Sequence, residues 1–372
     1  MSLSSGLASH PRIRRLFRRV YHRLPQALRR GVYDYRRLHA KPLHALLPLP
    51  MPEAMHVDPA NVCNFHCPFC PTADKALLAT VGRPHGLMPP ALFEKILADM
   101  REMEARCGAR LTTLHLYKDG EPLLNRDFAA MAAAAKKARV AAVVSTTTNA
   151  SLLTPELACR LIDADLDQIR VSIVQIGERA DGEAGACPVP YERIRQNVAF
   201  LFEEKRRRGS PLRVIVKTND CGLSAADKER FERDFRAISD VPLIDALMGW
   251  SRSDAKDFTL GHAVATGMDG SSPLRERQVC PEPFSRLAVN FDGQVSVCCV
   301  DWSYGTIVGD LRRESLASVW EGERLREMRL AHLTGNRARI PACAHCQYSQ
   351  GMPPARDLDG HVEALRRMYS GT

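Results

Sequence analysis

The sequence predicts an α/β protein built on a parallel sheet, with a smaller cysteine-bearing second domain and a basic helix ahead of both. Three observations carry that prediction. Segments of strand and helix period alternate six times between residues 55 and 255. Residues 280–350 are short in pattern, turn-rich and hold Cys280, Cys298, Cys299, Cys343 and Cys346. Residues 11–30 interleave apolar side chains with arginine. The alternation implies parallel strands joined by right-handed crossovers, which a six-strand open barrel and a doubly wound sheet both satisfy.

From the N-terminus, Ile13, Leu16, Phe17, Val20, Leu24 and Leu28 recur at helical spacing with arginines on the other faces, interrupted at Pro25. Residues 41–54 contain Pro42, Pro48, Pro50 and Pro52 and read as a linker. A short strand over 55–58 opens the body. A helix from Pro90 aligns Phe93, Ile96, Leu97, Met100 and Cys107 on one face and stops at Gly108. Strands are expected over 111–117, 140–147, 169–174, 213–218 and 243–248. Helices are expected over 127–139, from Thr154-Pro155 (a capping residue followed by proline at the first helical position), over 191–208 and over 224–239. Residues 255–279 read as loop and the end of the chain as a helical tail. The expected domains are therefore 1–54, 55–255, 256–350 and 351–372.

The chain has 372 residues, with 52 Lys+Arg against 43 Asp+Glu and a formal net charge of +9. Residues 1–54 hold eleven of the basic residues and only Asp34 and Glu53 as acids, so the remaining body is formally neutral. A composition of 45% hydrophobic and 26% charged residues excludes disorder. No run approaches the roughly 18 apolar residues that span a bilayer, and the start lacks a secretory layout. The expected location is the cytoplasm, peripheral to the inner face of the membrane if the basic segment binds lipid. In a reducing compartment, twelve cysteines point to metal ligands before disulfides.

The most specific feature is Cys63-Asn-Phe-His-Cys67-Pro-Phe-Cys70, directly after the first strand. Three thiolates at this spacing can wrap one face of a cubane iron–sulfur cluster and leave one iron open. The alternative is zinc, with His66 as a fourth ligand. Cys343-Ala-His-Cys346, with Cys280 and Cys298 or Cys299 upstream, makes a second four-cysteine set, for which a zinc ribbon is the bland alternative. Cys107 and Cys159 fall in expected helices and read as packing; Cys187 lies in a Gly/Pro-rich loop.

At the first motif the sequence resembles the radical S-adenosylmethionine (radical SAM) enzymes, whose signature has an aromatic before the last cysteine, here Phe69. Gly120-Glu121-Pro122 is similar to the family's GGEP motif, with Asp119 in place of the first glycine. Thr148, Asn149 and Ser172 are similar to its ribose contacts. Alone each is ordinary turn chemistry; in order, each at the C-terminal end of a strand, they mark the edge where β/α barrels place their sites. The resemblance implies a partial (β/α)6 TIM-like barrel over 55–255. It also implies a [4Fe-4S] cluster on Cys63, Cys67 and Cys70 that gives an electron to SAM, and a 5′-deoxyadenosyl radical that takes hydrogen from an unactivated C–H.

The second set resembles the SPASM extension of that family. It implies one auxiliary [4Fe-4S] cluster on Cys280, Cys298, Cys343 and Cys346, with the Gly-x4-Cys spacing selecting Cys298 over Cys299. Met352 and Arg356 occupy the positions of two further cysteines, so a second auxiliary cluster is not expected. A cluster with all four irons filled suits accepting an electron from a substrate radical, which implies oxidation or epimerisation of a sugar-like or aminocyclitol molecule, with flavodoxin or ferredoxin as reductant. The alternative is modification of a ribosomally made peptide; from another class, a non-catalytic metal-stabilised scaffold or nucleic-acid-binding protein. Cys221, after the fifth strand, faces the expected barrel mouth and could donate a hydrogen atom, against the plain reading of a loop cysteine. Tyr117, Lys118 and Lys217 end strands near the same mouth. The basic segment 11–30 has three readings: a helix braced on the barrel, a contact to an anionic membrane surface, or a nucleic-acid arm; no base-reading fold accompanies it, so nucleic acid is not expected.

Overall fold

The computed structural model describes residues 41–177, 187–268, 270 and 272–371. The basic segment 11–30 lies outside the described residues. Six strands, β1 (Ala54–Val57), β2 (Leu111–His115), β3 (Ala141–Thr148), β4 (Gln168–Ile173), β5 (Arg213–Asp220) and β6 (Val241–Ala246), pair in chain order and all in parallel. The helices α1 (Lys75–Val81), α2 (Pro90–Cys107), α3 (Phe128–Ala138), α4 (Pro155–Asp163), α5 (Tyr191–Arg207) and α6 (Ala225–Arg236) fall between or after them. Strands follow their chain order across the sheet without the reversal of a doubly wound fold. This is the partial barrel.

The strands alternate as a two-faced wall. Met55, Val57, Leu114, Leu116, Val144, Ile169, Val171, Val214 and Val216 enter the core with Phe93, Ile96 and Met100 of α2, Ala132 of α3 and Leu161 of α4. The positions between them (His56, His115, Ser145, Arg170, Ser172 and Lys217) face the other way, into the lumen. Local signals agree with this packing. α2 opens with Pro90 at its first turn and closes on Gly108, whose φ of 67° is cheap only for glycine. α6 starts with a reciprocal capping box between Ser224 and Asp227.

The structure adds two features to the sequence reading. First, the strands of the C-terminal region continue the sheet of the barrel. Helix α7 (Glu282–Ser285) leads into β7 (Arg286–Val289), which pairs in parallel with β1; β8 (Gln294–Ser296) and β9 (Ile307–Asp310) then extend the same sheet antiparallel, giving nine strands. The edge of β1 was open, and backbone N–H and C=O groups on an open edge require partners. Second, the proline-rich linker is packed. Leu43 and Leu47 are buried with Val279, Phe284, Leu333, Leu358 and Leu365, so this stretch forms a small core with α9 (Glu323–Leu333) and α11 (Val362–Ser370). Between these lie α8 (Leu316–Glu321), before α9, and α10 (Pro341–Ala344), after it. Strand limits differ from expectation by up to two residues, and no helix among the described residues is long and apolar enough to cross a membrane.

Candidate functional site

The three-cysteine loop leaves the C-terminal end of β1 and is held by the chain segment that follows β2. Gly120 approaches the loop so closely that a Cβ there would lie 2.2 Å from the Ala60 carbonyl oxygen and 2.3 Å from that of Val62. Only glycine fits, and the adjoining Glu121 amide donates to the Val62 carbonyl at 2.9 Å. Glu121 is buried and accepts from the Thr148 hydroxyl (2.6 Å), the Asn149 amide (2.7 Å) and the Leu123 amide (3.0 Å). Burial raises its carboxyl to about 7 against those three bonds. Asn149 in turn donates from Nδ2 to Asn64 Oδ1 at 2.9 Å, inside the cysteine loop. Pro122 is buried and opens the turn after Glu121, Ser172 is half-buried on the lumen face of β4, and Phe69 is half-buried in the loop.

Thr148 and Asn149 are thus committed to Glu121 and the loop, tying β3 and the turn after β2 to the cysteines. Asn64 and Ser151, which also exchange a hydrogen bond at 2.9 Å, belong to this brace; nothing in the sequence singled them out.

Burial raises the thiol of Cys63 to about 11, and raises Cys67 and Cys70 as well. Thiolates at these positions therefore need positive charge brought by a metal. A single tetrahedral zinc would draw its sulfurs to about 3.8 Å from one another. Among the described residues, neither Cys63, Cys67 and Cys70 nor Cys280, Cys298, Cys343 and Cys346 close to within 4.8 Å as a set. His66 is exposed. Three cysteines at one site and four at the other are the donor type that iron–sulfur clusters take. Cys280, Cys298, Cys343 and Cys346 line one small cavity with Ser251, His332 and Tyr348. Cys299 is not in that lining; its Sγ lies 3.9 Å from the Tyr348 hydroxyl, and it forms the tight group with Glu282 and Cys298. Both sites fit iron–sulfur clusters.

Between the two cysteine sites lies a buried charge cluster. Lys118 Nζ reaches Asp119 Oδ2 at 2.5 Å and donates to the Asp301 carbonyl at 2.9 Å. Arg83 Nη1 lies 3.3 Å from the same Asp119 oxygen, and its guanidinium also donates to the Trp302 carbonyl at 3.3 Å. Thr72, two residues past Cys70, donates to the Asp119 carbonyl at 2.7 Å. The Asp119 carboxylate therefore holds Lys118 and Arg83, which reach the C-terminal region, while the main-chain carbonyl of Asp119 takes the loop. Asp58 is fully buried nearby, and burial, then the Asp119 charge, raises it to about 7.

The lumen of the barrel is polar. His56 and His115 stack with ring centroids 4.4 Å apart; His115 Nδ1 lies 2.8 Å from Ser145 Oγ, and Tyr117 packs edge-on to both rings. Burial keeps both imidazoles neutral, with His115 lowered to about 3. Lys217 pairs with Asp245 at 3.3 Å. Cys221 follows β5 and is half-buried. The histidine pair, Arg170 and Asp245 escaped motif reading; for the histidines and Arg170 the signal is the phase of each strand, since they occupy the positions between core residues.

The radical SAM superfamily matches residues 57–210, and the SPASM iron-sulfur cluster-binding domain matches residues 280–347. No curated protein matches the chain. Among solved structures, native anSMEcpe with bound AdoMet is 13% identical, with 86% of this chain and 97% of that chain covered at a TM-score of 0.52. BtrN in complex with AdoMet and 2-DOIA is 18% identical, with 81% and 99% covered at 0.48. Streptococcus suis SuiB bound to S-adenosylmethionine is 13% identical, with 87% and 76% covered at 0.49. At 13% identity the likeness to anSMEcpe is one of fold.

Proposed function

Because this chain belongs to the radical SAM superfamily and carries a C-terminal SPASM domain, we propose that it is an oxidoreductase acting on a sugar-like or aminocyclitol small molecule, as a dehydrogenase or epimerase. Cys63, Cys67 and Cys70 would hold the first [4Fe-4S] cluster, with Phe69, Gly120, Glu121, Pro122, Thr148, Asn149 and Ser172 framing the SAM site. Cys280, Cys298, Cys343 and Cys346 would hold the second. When bound, the reduced first cluster and SAM supply the electron transfer that yields methionine and a 5′-deoxyadenosyl radical able to abstract hydrogen. The chain's own residues would present His56, His115, Tyr117 and Lys217 to the substrate, and would place Cys221 beside the mouth as a hydrogen donor if epimerisation is the outcome.

The observation that carries this reading is the complete four-cysteine lining of the second cavity. A cluster with no open iron is suited to receive an electron, which together with loss of one hydrogen atom and one proton gives a two-electron oxidation. The second reading, modification of a ribosomally made peptide, is favoured by the anSMEcpe structure that holds a Cp18Cys peptide (12% identical, TM-score 0.50). Anaerobic reconstitution is expected to load about eight irons per chain, with dithionite-driven release of 5′-deoxyadenosine. Deuterium transfer into that product from a panel of labelled sugars, aminocyclitols and peptides decides between the two readings; bound zinc without SAM cleavage overturns both. A flavodoxin or ferredoxin would supply the electron in the cytoplasm. Residues 11–30 would contact an anionic membrane surface, a reading abandoned if the protein fails to sediment with phosphatidylserine vesicles at low salt.

A further inference from the structure

Strand β4 alternates between two surroundings. Ile169, Val171 and Ile173 are buried against the helices, whereas Gln168, Arg170 and Ser172 are half-buried on the lumen side. The register sets Arg170 between Thr147 of β3 and Ile215 of β5. Its neighbours across the lumen are the stacked His56 and His115 rings, whose charged forms Arg170 opposes.

The cations around this space have their counter-charges. Lys118 and Arg83 both pair with the Asp119 carboxylate. Lys217 has Asp245 at 3.3 Å, and Arg286 has Glu282 at 3.7 Å. Arg170 is different: among the described residues its side chain has neither a carboxylate partner nor a hydrogen-bond acceptor. A guanidinium drawn partly out of water without an acceptor costs free energy, and a planar anion meeting its fork with two parallel bonds recovers it. The two neutral imidazoles beside it add hydrogen-bonding nitrogens and no competing negative charge.

We propose that the lumen takes a substrate bearing a carboxylate or phosphate group, and that Arg170 is the residue that binds that group. This deepens the sugar-like reading above and rests on it: the substrate is an acidic or phosphorylated sugar-like molecule and not a neutral one. SAM carries a carboxylate too, so the experiment separates the two sources of the same chemistry.

Isothermal titration of SAM-loaded holoenzyme with inorganic phosphate, and with glucose, glucose 6-phosphate and glucuronate as a matched series, is performed on the wild type and on Arg170→Gln. The basic N-terminal segment is common to both proteins and cancels in the comparison. The wild type is expected to bind phosphate, and to bind the charged sugars about tenfold or more tightly than glucose; Arg170→Gln is expected to lose about tenfold for phosphate and to erase the preference. SAM affinity is expected to stay unchanged. No phosphate binding by the wild type, equal binding by wild type and variant, or no preference for the charged sugars overturns the proposal. A parallel loss of SAM affinity overturns it as well, because Arg170 would then be holding the SAM carboxylate. Should Arg170→Gln fail to retain iron, Arg170→Lys is measured, and loss of a few-fold of phosphate affinity is expected because lysine keeps the charge and not the fork. A protein that cleaves SAM but shows no anion preference loses only this inference; one that does not cleave SAM loses the proposed function.

Discussion

At the scale of single residues, two adjacent cysteines that lie close together differ in which of them lines the cavity. Cys298 shares the lining of the cavity with Cys280, Cys343 and Cys346, while Cys299 sits against Tyr348. Cys298→Ser is therefore expected to reduce reconstituted iron from about eight to about four per chain, and Cys299→Ser to leave it near eight, read by iron analysis and by the spectrum of the reduced protein. Equal iron in the two variants would remove the assignment. Glu121 offers a second test. Its carboxyl is raised to about 7 in the folded chain, above the ordinary value of about 4.3 for an unfolded glutamate. Between those values the folded state binds more protons than the unfolded one, so this group's contribution falls as pH rises from about 4.3 to about 7 and is flat beyond. Glu121→Gln is expected to lessen that slope in denaturation measured at pH 5, 6 and 7. A slope identical to the wild type would mean that Glu121 is not the group responsible. The Gly-Glu-Pro stretch was visible in the sequence, but that Gly120 touches the Ala60 and Val62 carbonyls required the loop to be in place.

At the scale of elements, local chemistry and tertiary packing agree along most of the barrel. Proline at the first turn and glycine past the last bounded α2 correctly, because both act through backbone φ within a few residues of themselves. The capping box of α6 is likewise local. Ser224 accepts from the Asp227 amide at 3.1 Å, and its hydroxyl and amide donate back to the Asp227 side chain. Ser224→Ala is expected to cost about 1 kcal/mol, measured by chemical denaturation, with the same number of irons bound. A change below a few tenths would show that neighbouring contacts position α6 without the cap. The strands β7–β9 escaped the sequence because each has only three or four residues, too few for a period to declare itself, and β1, the partner of β7, lies more than 220 positions away.

At the scale of the whole molecule, one buried ionic cluster spans the two cysteine sites. Lys118 bonds Asp119 on the barrel side and the Asp301 carbonyl on the other, Arg83 does the same with Asp119 and Trp302, and Thr72 carries the link to the first loop. Lys118→Met would leave Asp119 and Asp58 buried against one cation. The expected loss is about 3–5 kcal/mol, together with weaker retention of iron at both sites in a chelator challenge. Retention equal to the wild type would show that the two sites are held independently.

The sequence by itself determined the chemistry. Cysteine spacings of three and two residues, and a strand–helix alternation, act over short stretches of chain and survive without knowledge of what lies across the fold. It also determined that the positive charge belongs to residues 1–54 and not to the body. The tertiary structure decided what that chemistry faces. It joined the C-terminal strands to the barrel sheet, made Asp119 an anchor in place of a glycine, and packed the proline-rich segment under α11. It also turned Arg170 and the histidine pair into one lumen. Those outcomes depend on pairing between residues far apart in sequence, where the cost of leaving a backbone edge or a buried charge unpaired is settled only once the distant partner arrives.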